Sequence, residues 1–288
     1  MGDKSKIEWT DCTDNVIIAA QGGWWCHKVK GDDACVNCYA ETTNDNSWFG
    51  GNHLPYDGKP PELKLRSDII DRWARMTKPK KHFVMSMSDW AGEWVPRAWQ
   101  FEMLDGMAAA PLQIFQLLTK RANICLKTVK LWMAARGIVS PPKHIWLGFT
   151  AGNQYWFDQR WRFMRELAGM GWVIFVSAEP LSGSLALPED FLALGRRAQV
   201  IVGGESGKNV RPMHPNYPRS LRDQCAKAGV AYFFKQWGEW EIETMSDAHA
   251  AMPYEKRFAF DDDQTMVRVG KKTAGRLLDG RTWDEFPV

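Results

Sequence analysis

Short apolar runs, rich in β-branched and aromatic residues, recur along the chain about every 25–30 residues. Seven of these runs predict strands, at residues 15–20, 82–87, 112–118, 144–149, 172–177, 199–202 and 230–234. Segments with helical spacing lie between most of them, at residues 67–76, 97–109, 121–135, 156–167 and 218–228. Continuously apolar strands separated by helices are typical of parallel βαβ units that are buried on both faces. The pattern therefore predicts an α/β fold, a partial parallel β/α barrel of six to seven strands.

The periodicity weakens after residue 236. Residues 261–263 predict a turn and residues 267–269 a short strand, and the end of the chain is basic and rich in glycine. We therefore predict a barrel domain over residues 1–236 and a C-terminal extension over residues 237–288 that packs on the barrel. No predicted strand is followed by G-x-G-x-x-G, and the chain has no G-x-x-x-x-G-K-[ST], which excludes the usual dinucleotide-binding and ATP-binding loops.

Composition and charge exclude several classes of protein. Of the 288 residues, 45% are hydrophobic and 25% are charged, which is ordinary for a globular chain. A net charge of +3 is too small for a tail-driven nucleic-acid binder, although it permits a local basic groove. Residues 1–10 lack the apolar core of a secretory signal, and no apolar run is long enough to span a membrane. These features predict a cytoplasmic protein with reduced thiols and no membrane contact.

Three of the six cysteines cluster in one segment, as Cys26, Cys35 and Cys38 in the pattern C-x8-C-x2-C. The segment follows the first predicted strand and a Gly-Gly pair, so we expect it to form the first βα loop. Three thiolates at this spacing suit a structural zinc ion, with His27 or His53 as the fourth ligand. A second interpretation is a [4Fe–4S] cluster that leaves one iron open to another ligand, and a third is a disulfide or a coincidental clustering.

The other three cysteines have no partner at such a spacing. Cys125 and Cys225 fall in helical segments, where we expect them to be small buried hydrophobic residues. Cys12 lies close to the cluster in the sequence, and its role stays open.

Polar residues follow almost every predicted strand. They are Ser86, Ser88, Asp89, Thr119, Lys120, Arg121, Thr150, Asn153, Ser177, Glu179, Glu205, Ser206, Lys235 and Gln236. Reactive groups of parallel barrels collect where strands end and loops begin. We therefore predict a shared polar site at these strand ends, although polar residues are also common wherever strands leave a core.

Nine sequence blocks resemble, in the same order, those of a known family. They are Ile7–Asp11, Cys35–Glu41, Ser86–Asp89, Gln116–Arg121, Ser177–Leu181, Val202–Gly207, Arg211–Met213, Phe234–Gly238 and Gly275–Gly280. The chain is similar over this span to the three-cysteine-motif proteins of phages and bacteria, which carry a domain of unknown function. That family resembles a divergent branch of the radical S-adenosylmethionine superfamily. Its cysteine spacing is usually shorter than the one found here, and the superfamily's C-x3-C-x2-C pattern is absent.

The resemblance implies a partial α/β barrel in which Cys26, Cys35 and Cys38, within a loop over residues 24–40, hold a [4Fe–4S] cluster. S-adenosylmethionine would bind the open iron, and a reducing electron donor would be a partner. Transfer of an electron would cleave this cofactor to methionine and a 5′-deoxyadenosyl radical. The radical would abstract hydrogen from an unreactive C–H bond, and the protein would position the substrate.

Such a cofactor needs a cation near its carboxylate and an anion or carbonyl near its amine. The candidate catalytic residues are Lys120, Glu179, Glu205 and Lys235, with Arg121 as a further cation. The candidate cofactor-binding residues are Ser88, Asn153, Gly203, Gly204 and Gln236. The two adjacent glycines indicate a close approach of the backbone to another group, such as adenine or ribose. The Glu179-Pro180 pair is interpreted equally well as a turn.

Basic and aromatic residues alternate in one helical segment, at Trp156, Arg160, Trp161, Arg162 and Arg165. The residues Lys271, Lys272, Arg276 and Arg281 add positive charge near the C-terminus. Such surfaces suit phosphates and stacked bases, but the helical segment also has the spacing of an ordinary amphipathic helix.

The phage association of the family implies DNA or a modified nucleotide as the substrate, and the host cytoplasm as the location if the protein is phage-encoded. The expected activity is that of an isomerase in DNA hypermodification. It would rearrange an amino-acid-modified thymidine by moving the attachment of the substituent from nitrogen to carbon. The alternatives are a radical DNA-repair lyase and a non-catalytic zinc-containing nucleic-acid-binding protein.

Overall fold

A computed structural model describes residues 5–288 of the chain. Residues 1–4 lie outside the described residues. They include the predicted start of the barrel domain and the first part of the segment that lacks the apolar core of a secretory signal. The strands are β1 (Cys12–Asp14), β2 (Ile17–Ala19), β3 (Leu63–Leu65), β4 (Lys81–Val84), β5 (Ile114–Thr119), β6 (Ile145–Thr150), β7 (Val173–Ala178), β8 (Ala198–Gly203), β9 (Ala231–Gln236), β10 (Trp240–Ile242), β11 (Arg257–Ala259) and β12 (Thr265–Arg268). The α-helices are α1 (Tyr39–Asn44), α2 (Ser67–Trp73), α3 (Arg97–Ala108), α4 (Ala122–Arg136), α5 (Gln154–Gly169), α6 (Glu189–Leu192), α7 (Asn216–Ala228), α8 (Asp247–Ala250) and α9 (Lys271–Ala274).

The predicted fold class is confirmed. Seven parallel strands form one sheet in the order β1-β4-β5-β6-β7-β8-β9, as in a partial parallel β/α barrel. Because the chain visits neighbouring strands in sequence and helices connect most of them, the sheet is built from consecutive βα units. Every residue of β6, β7 and β8 is buried, which explains why these strands are apolar without alternation.

Six of the seven apolar runs coincide with strands of this sheet, from β4 to β9, and the five helical segments coincide with α2, α3, α4, α5 and α7. The first predicted strand, at residues 15–20, does form, but its expected place as the first strand of the parallel sheet is wrong. The first strand of the sheet is the shorter β1, which pairs with β4 through Cys12 and His82. The apolar run forms β2 instead, and β2 pairs antiparallel with β3 through Ile17 and Leu65. The cysteine segment still lies between the first two strands of the parallel sheet, because β2 and β3 only form a short ribbon within that connection.

The chain divides into two compact units. The first runs to Thr150 and also contains Gln159–Phe175, and the second contains Ala151–Asp158 and Val176–Val288. The predicted boundary at residue 236 therefore falls inside the second unit. There, the backbone N–H of Phe234 donates to the carbonyl of Trp283 at 2.9 Å, so the end of the chain packs on β9. The strands β10, β12 and β11 form a separate antiparallel sheet in the same unit.

No helix within residues 5–288 combines the length and the apolar composition that a membrane crossing requires.

Close packing in the first unit requires glycine at position 148 of β6. A Cβ atom there would lie 2.2–2.4 Å from three ring atoms of Phe175, far inside van der Waals contact. We expect Gly148→Ala to lower the free energy of unfolding by about 1–3 kcal/mol, since the buried ring must move. Urea denaturation measures the change.

The matched control is Gly169→Ala at the end of α5, where a Cβ atom would have no atom within 4 Å. We expect this change to be neutral or to stabilise the protein by up to about 1 kcal/mol, because alanine favours the helix. Equal effects of the two substitutions would contradict the packing argument.

Candidate functional site

The three clustered cysteines come together in the first unit. Cys26, Cys35 and Cys38 line one cavity of about 90 Å³, together with Lys120 and Arg121 from the end of β5. Cys35 is buried, whereas Cys26 and Cys38 are partly exposed. The structure thus brings together the three predicted metal ligands and two of the predicted cations.

Local structure determines where each sulfur lies. The Asp32 carboxylate accepts the backbone N–H of Ala34 at 2.9 Å and so begins the 3-10 turn Asp33–Cys35. The backbone N–H of Cys35 donates to the carbonyl of Asp32, also at 2.9 Å. Cys38 directly precedes α1 at its N-terminal end. The short turn and the helix start therefore place two cysteines on the same cavity wall.

A buried ion pair fastens this loop to the sheet. The Arg160 side chain is 3% exposed, and its guanidinium donates to the carboxylate of Asp32, which is 1% exposed. The same guanidinium donates to the carbonyls of Lys120 at 3.1 Å and Thr150 at 2.8 Å, which lie just after β5 and at the end of β6. One side chain therefore connects the cysteine loop to two adjacent strand ends.

A second buried carboxylate, Asp89, organises the loop after β4. It accepts hydrogen bonds from the Thr119 hydroxyl at 2.6 Å and the Lys120 backbone N–H at 2.9 Å. It also accepts one from the Arg121 guanidinium at 3.2 Å. Arg121 donates further to Glu93 at 2.7 Å and to the carbonyl of His27 at 2.9 Å. The ends of β4 and β5 are thereby tied to the residue that follows Cys26.

Hydroxyl groups complete the attachment of the loop. Ser88, predicted to bind a cofactor, lines the cysteine cavity and donates to the carbonyl of Trp25 at 2.6 Å. Tyr56 donates to the carbonyl of Met87 at 2.9 Å, and Tyr39 donates to that of Ser86. These bonds hold the segment after β4 against both ends of the cysteine segment.

The environment of Cys26 and Cys35 favours the neutral form of their thiols. Burial, followed by the Asp89 carboxylate, raises the pKa of Cys26 to about 12, although Lys120 and Arg121 oppose this shift. Burial also raises the pKa of Cys35. Burial acts to lower the pKa of Lys120, but the sulfurs of Cys35 and Cys38 outweigh it and raise that pKa. A cysteine used as a free nucleophile needs a lowered pKa, so these thiols suit metal ligation, which displaces their protons.

The two histidines offered as a fourth zinc ligand differ in position. His27 lines the cysteine cavity, and its ring stacks on Trp94 with centroids 6.3 Å apart. His53 is exposed, with one ring nitrogen 3.1 Å from the Asp45 carboxylate and the other 2.6 Å from the Ser47 hydroxyl. His53 is therefore engaged elsewhere, and His27 is the histidine beside the cysteines.

Cys12 belongs to a different group. Its sulfur lies 3.1 Å from Nδ1 of His82, and the same nitrogen lies 2.6 Å from the Asp14 carboxylate. Within residues 5–288 these three side chains place their ligand atoms within 4.8 Å of one another, whereas Cys26, Cys35 and Cys38 do not form so compact a group. Neighbouring N and O ligands of a tetrahedral zinc ion would be about 3.3 Å apart. The shorter distance is that of a hydrogen bond between the imidazole and the carboxylate, and the other carboxylate oxygen of Asp14 has no hydrogen-bond partner within residues 5–288.

The remaining predicted residues lie in the second unit. The ammonium of Lys235 is 2.6 Å from the carboxylate of Glu179, and both side chains are largely buried. A Cβ atom at Gly203 would lie 3.1 Å from this carboxylate. The structure therefore pairs one predicted cation with one predicted anion.

Glu205, Gly204 and Gln236 have partners within their own unit. The guanidinium of Arg211 donates to both carboxylate oxygens of Glu205, at 2.7 and 3.1 Å. A Cβ atom at Gly204 would lie 1.9 Å from the carbonyl of Trp237, so the close approach that this glycine permits is to its own chain. Gln236 is 5% exposed, and its amide oxygen has no hydrogen-bond partner within the part of the chain that the structure describes.

Asn153 begins α5, since its side-chain oxygen accepts the backbone N–H of Trp156 at 3.1 Å. Further along this helix Arg160 and Trp161 are buried, whereas Arg162 and Arg165 are exposed. The burial pattern is that of an amphipathic helix, and Arg160 faces the cysteine loop instead of solvent. Of the basic residues near the C-terminus, Lys271, Lys272 and Arg281 are exposed and Arg276 is partly buried.

Sequence reasoning missed the residues that position the loop. Asp32 has the acidic residue type common before a short helical turn, which was a usable signal. Asp89 was noted only as one of several polar residues after strands. Arg160 was assigned to a helix face, and nothing in the local sequence indicates that its guanidinium reaches Asp32, 128 residues away.

The chain was compared with known proteins. A family described as "Protein of unknown function (DUF5131)" matches residues 4–287. No curated protein and no solved structure matches the chain.

The ion pair between Arg160 and Asp32 yields a testable consequence. We expect Arg160→Ala to lower the free energy of unfolding by about 3–5 kcal/mol, because it leaves a buried carboxylate without its cation. It should also speed alkylation of Cys35, since the turn that buries this thiol begins at Asp32. Urea denaturation and mass spectrometry after brief alkylation measure the two effects.

Arg162→Ala in the same helix is the control, and we expect it to stay within about 0.5 kcal/mol of the unmodified chain because Arg162 is exposed. If Arg160→Ala does not fold, Arg160→Lys is the second variant, since it keeps the charge but cannot make all three hydrogen bonds. It should also lower the free energy of unfolding and speed the alkylation of Cys35. Equal stability of the Arg160 and Arg162 variants would refute the assignment.

Proposed function

The chain belongs to this family of proteins of unknown function, and we propose that it is a radical S-adenosylmethionine enzyme whose [4Fe–4S] cluster is held by Cys26, Cys35 and Cys38. The observation that carries the proposal is the convergence of these three sulfurs on one cavity, from a single loop between the first two strands of a parallel sheet. Three protein thiolates leave one iron of such a cluster without a protein ligand.

The spacing and the space favour a cluster over a single ion. Ligand sulfurs of one tetrahedral zinc ion would lie about 3.8 Å apart, whereas these three cysteines do not form a group within 4.8 Å. A cubane separates its thiolates further because four irons and four sulfides lie between them. The cavity of about 90 Å³ also exceeds the ~10–15 Å³ that one water molecule needs.

The surrounding residues suit an anionic cluster. Lys120 and Arg121 bring two cations to the cavity wall, and Asp89 and Glu93 hold Arg121 in place. Trp25 and Tyr56 are almost fully buried beside the loop, where they exclude water from one side of the cavity. When bound, the cluster and S-adenosylmethionine would supply a 5′-deoxyadenosyl radical for hydrogen abstraction.

The other predicted residues keep their roles as proposals, each within its own unit. The proposed cations are Lys120 in the first unit and Lys235 in the second, and the proposed anions are Glu179 and Glu205. Ser88, Asn153, Gly203, Gly204 and Gln236 are the proposed contacts to S-adenosylmethionine. The unpartnered buried amide oxygen of Gln236 supports its place in this set, because a buried acceptor favours a donor partner.

For the reaction we propose isomerisation of an amino-acid-modified thymidine in phage DNA, from a nitrogen-linked to a carbon-linked substituent. This step conserves mass, because the abstracted hydrogen is returned to the product. The second candidate, a DNA-repair lyase, would use the same radical chemistry to split a lesion. Both candidates rest on the family resemblance of the sequence blocks and on the cluster proposed above.

Anaerobic reconstitution with iron and sulfide tests the cluster. We expect broad brown absorbance and about four irons and four sulfides per chain. Cys35→Ala should lose both, since it removes one of three ligands. The control is Cys225→Ala, which removes a buried cysteine in the second unit and should keep the cluster. A colourless protein with one zinc ion per chain after this treatment would support the zinc-containing nucleic-acid-binding alternative and refute the proposal.

Mass spectrometry of nucleosides tests the reaction. The reconstituted protein is incubated with a reductant, S-adenosylmethionine and DNA that carries an amino-acid-modified thymidine. Isomerisation should give a product of unchanged mass and shifted retention that depends on Cys35. A product with the mass of unmodified thymidine would instead identify a lyase.

A further inference from the structure

A second cavity opens beside the cysteine cavity in the first unit. It is a groove of about 650 Å³ that is open to solvent and wide enough to admit a small molecule. His27, Lys28, Lys120 and Arg121 line both cavities. A ligand in the second cavity would therefore lie next to the three cysteines.

One wall of this second cavity is aromatic. The indoles of Trp25 and Trp94 meet edge to face with centroids 5.1 Å apart. The imidazole of His27 stacks on Trp94 at an interplanar angle of 28°, and His27 is exposed. The wall therefore offers a flat ring with an accessible face, the kind of surface on which planar bases stack.

The charge of the cavity favours an anion. Its lining includes the three cations Lys28, Lys120 and Arg121 but only one carboxylate, that of Glu93. Two of the cations already have carboxylate partners, because Arg121 pairs with Glu93 and Lys28 lies 2.6 Å from Glu41.

Lys120 is the cation that remains for a ligand. Within residues 5–288 its ammonium has no hydrogen bond and no salt bridge, although its backbone is held by Asp89 and Arg160. The first turn of α4 follows at once, and its partial positive charge adds to the local potential. A half-buried, positioned and unpaired ammonium is a suitable partner for a phosphate group.

We infer that the second cavity binds a nucleotide, with the base against His27 and the phosphate on Lys120. The role of this cavity as a substrate subsite beside the cluster rests on the proposed function. Nucleotide binding itself needs no cluster. The nucleotide is either free or part of a DNA strand, and both present the same base and phosphate.

Calorimetry on the full chain without iron tests the inference, with thymidine 5′-monophosphate as the probe. We expect Lys120→Met to weaken its binding at least about tenfold, the usual effect of losing a charge-assisted hydrogen bond. Lys120→Arg should restore most of the affinity. Lys127→Met is the control, because it removes an equal charge from an exposed position of α4 and should change the affinity less than about twofold.

Two further probes separate the base from the phosphate. His27→Ala should weaken the nucleotide about fivefold or more through lost stacking but leave inorganic phosphate binding unchanged. A single-stranded oligothymidylate that binds more tightly than the monophosphate, with the same dependence on Lys120, would identify the strand as the source. Binding of the monophosphate alone would identify the free nucleotide.

Absence of nucleotide binding, or an affinity that Lys120→Met leaves unchanged, would overturn the inference. These outcomes are distinguishable from failure of the proposed function. A chain that forms the cluster but binds no nucleotide contradicts only the cavity assignment, and a chain that binds nucleotide but forms no cluster contradicts only the radical enzyme.

Discussion

The arrangement of the cysteine loop depends on one buried ion pair, between Arg160 and Asp32. Burying either charge alone would cost several kcal/mol, so each is stable in the interior only because the other is there. The guanidinium also donates to the carbonyls of Lys120 and Thr150, which gives the buried charge further hydrogen-bond partners. The loop that carries Cys35 is therefore held at a fixed distance from two strand ends, and the cavity between them follows from that distance.

The network around Asp89 has a different consequence for the same cavity. Asp89 and Glu93 together neutralise Arg121, so this cation serves mainly to hold the loop at His27. Lys120 is held only through its backbone, and its ammonium stays available. Arg121 and Lys120, neighbours at the end of β5, thus have different roles. The Arg121 guanidinium is paired with carboxylates, whereas the Lys120 ammonium has no such partner within the described residues. This difference, more than the number of cations, makes the wall shared by the two cavities suitable for an anion.

The sequence was a good guide where a local pattern determines the structure. Strands such as β6 and β8 are buried on both faces, so their apolar runs marked them directly, and the close spacing of Cys35 and Cys38 marked the loop. The pattern misled at residues 15–20, because β1 has only three residues and a polar end, while the more apolar β2 lies in a side ribbon. Arg160 could not have been placed, since its role depends on a carboxylate 128 residues away. Gly204 was recognised as a point of close approach, but only packing shows that the neighbour is the Trp237 carbonyl.

The two cysteine groups of the first unit show why proximity alone does not identify a metal site. Cys12, His82 and Asp14 are the more compact group, and His82 and Trp73 both donate to the same carboxylate oxygen of Asp14, at 2.6 and 2.9 Å. A metal ion there would have to break these hydrogen bonds and push the ligands apart within a packed interior. Cys26, Cys35 and Cys38 are less compact, but they surround free volume and face Lys120. A polynuclear cluster would need that space, and its binding would displace the protons of Cys26 and Cys35, whose pKa values burial raises. The more open group is therefore the better candidate for the metal centre.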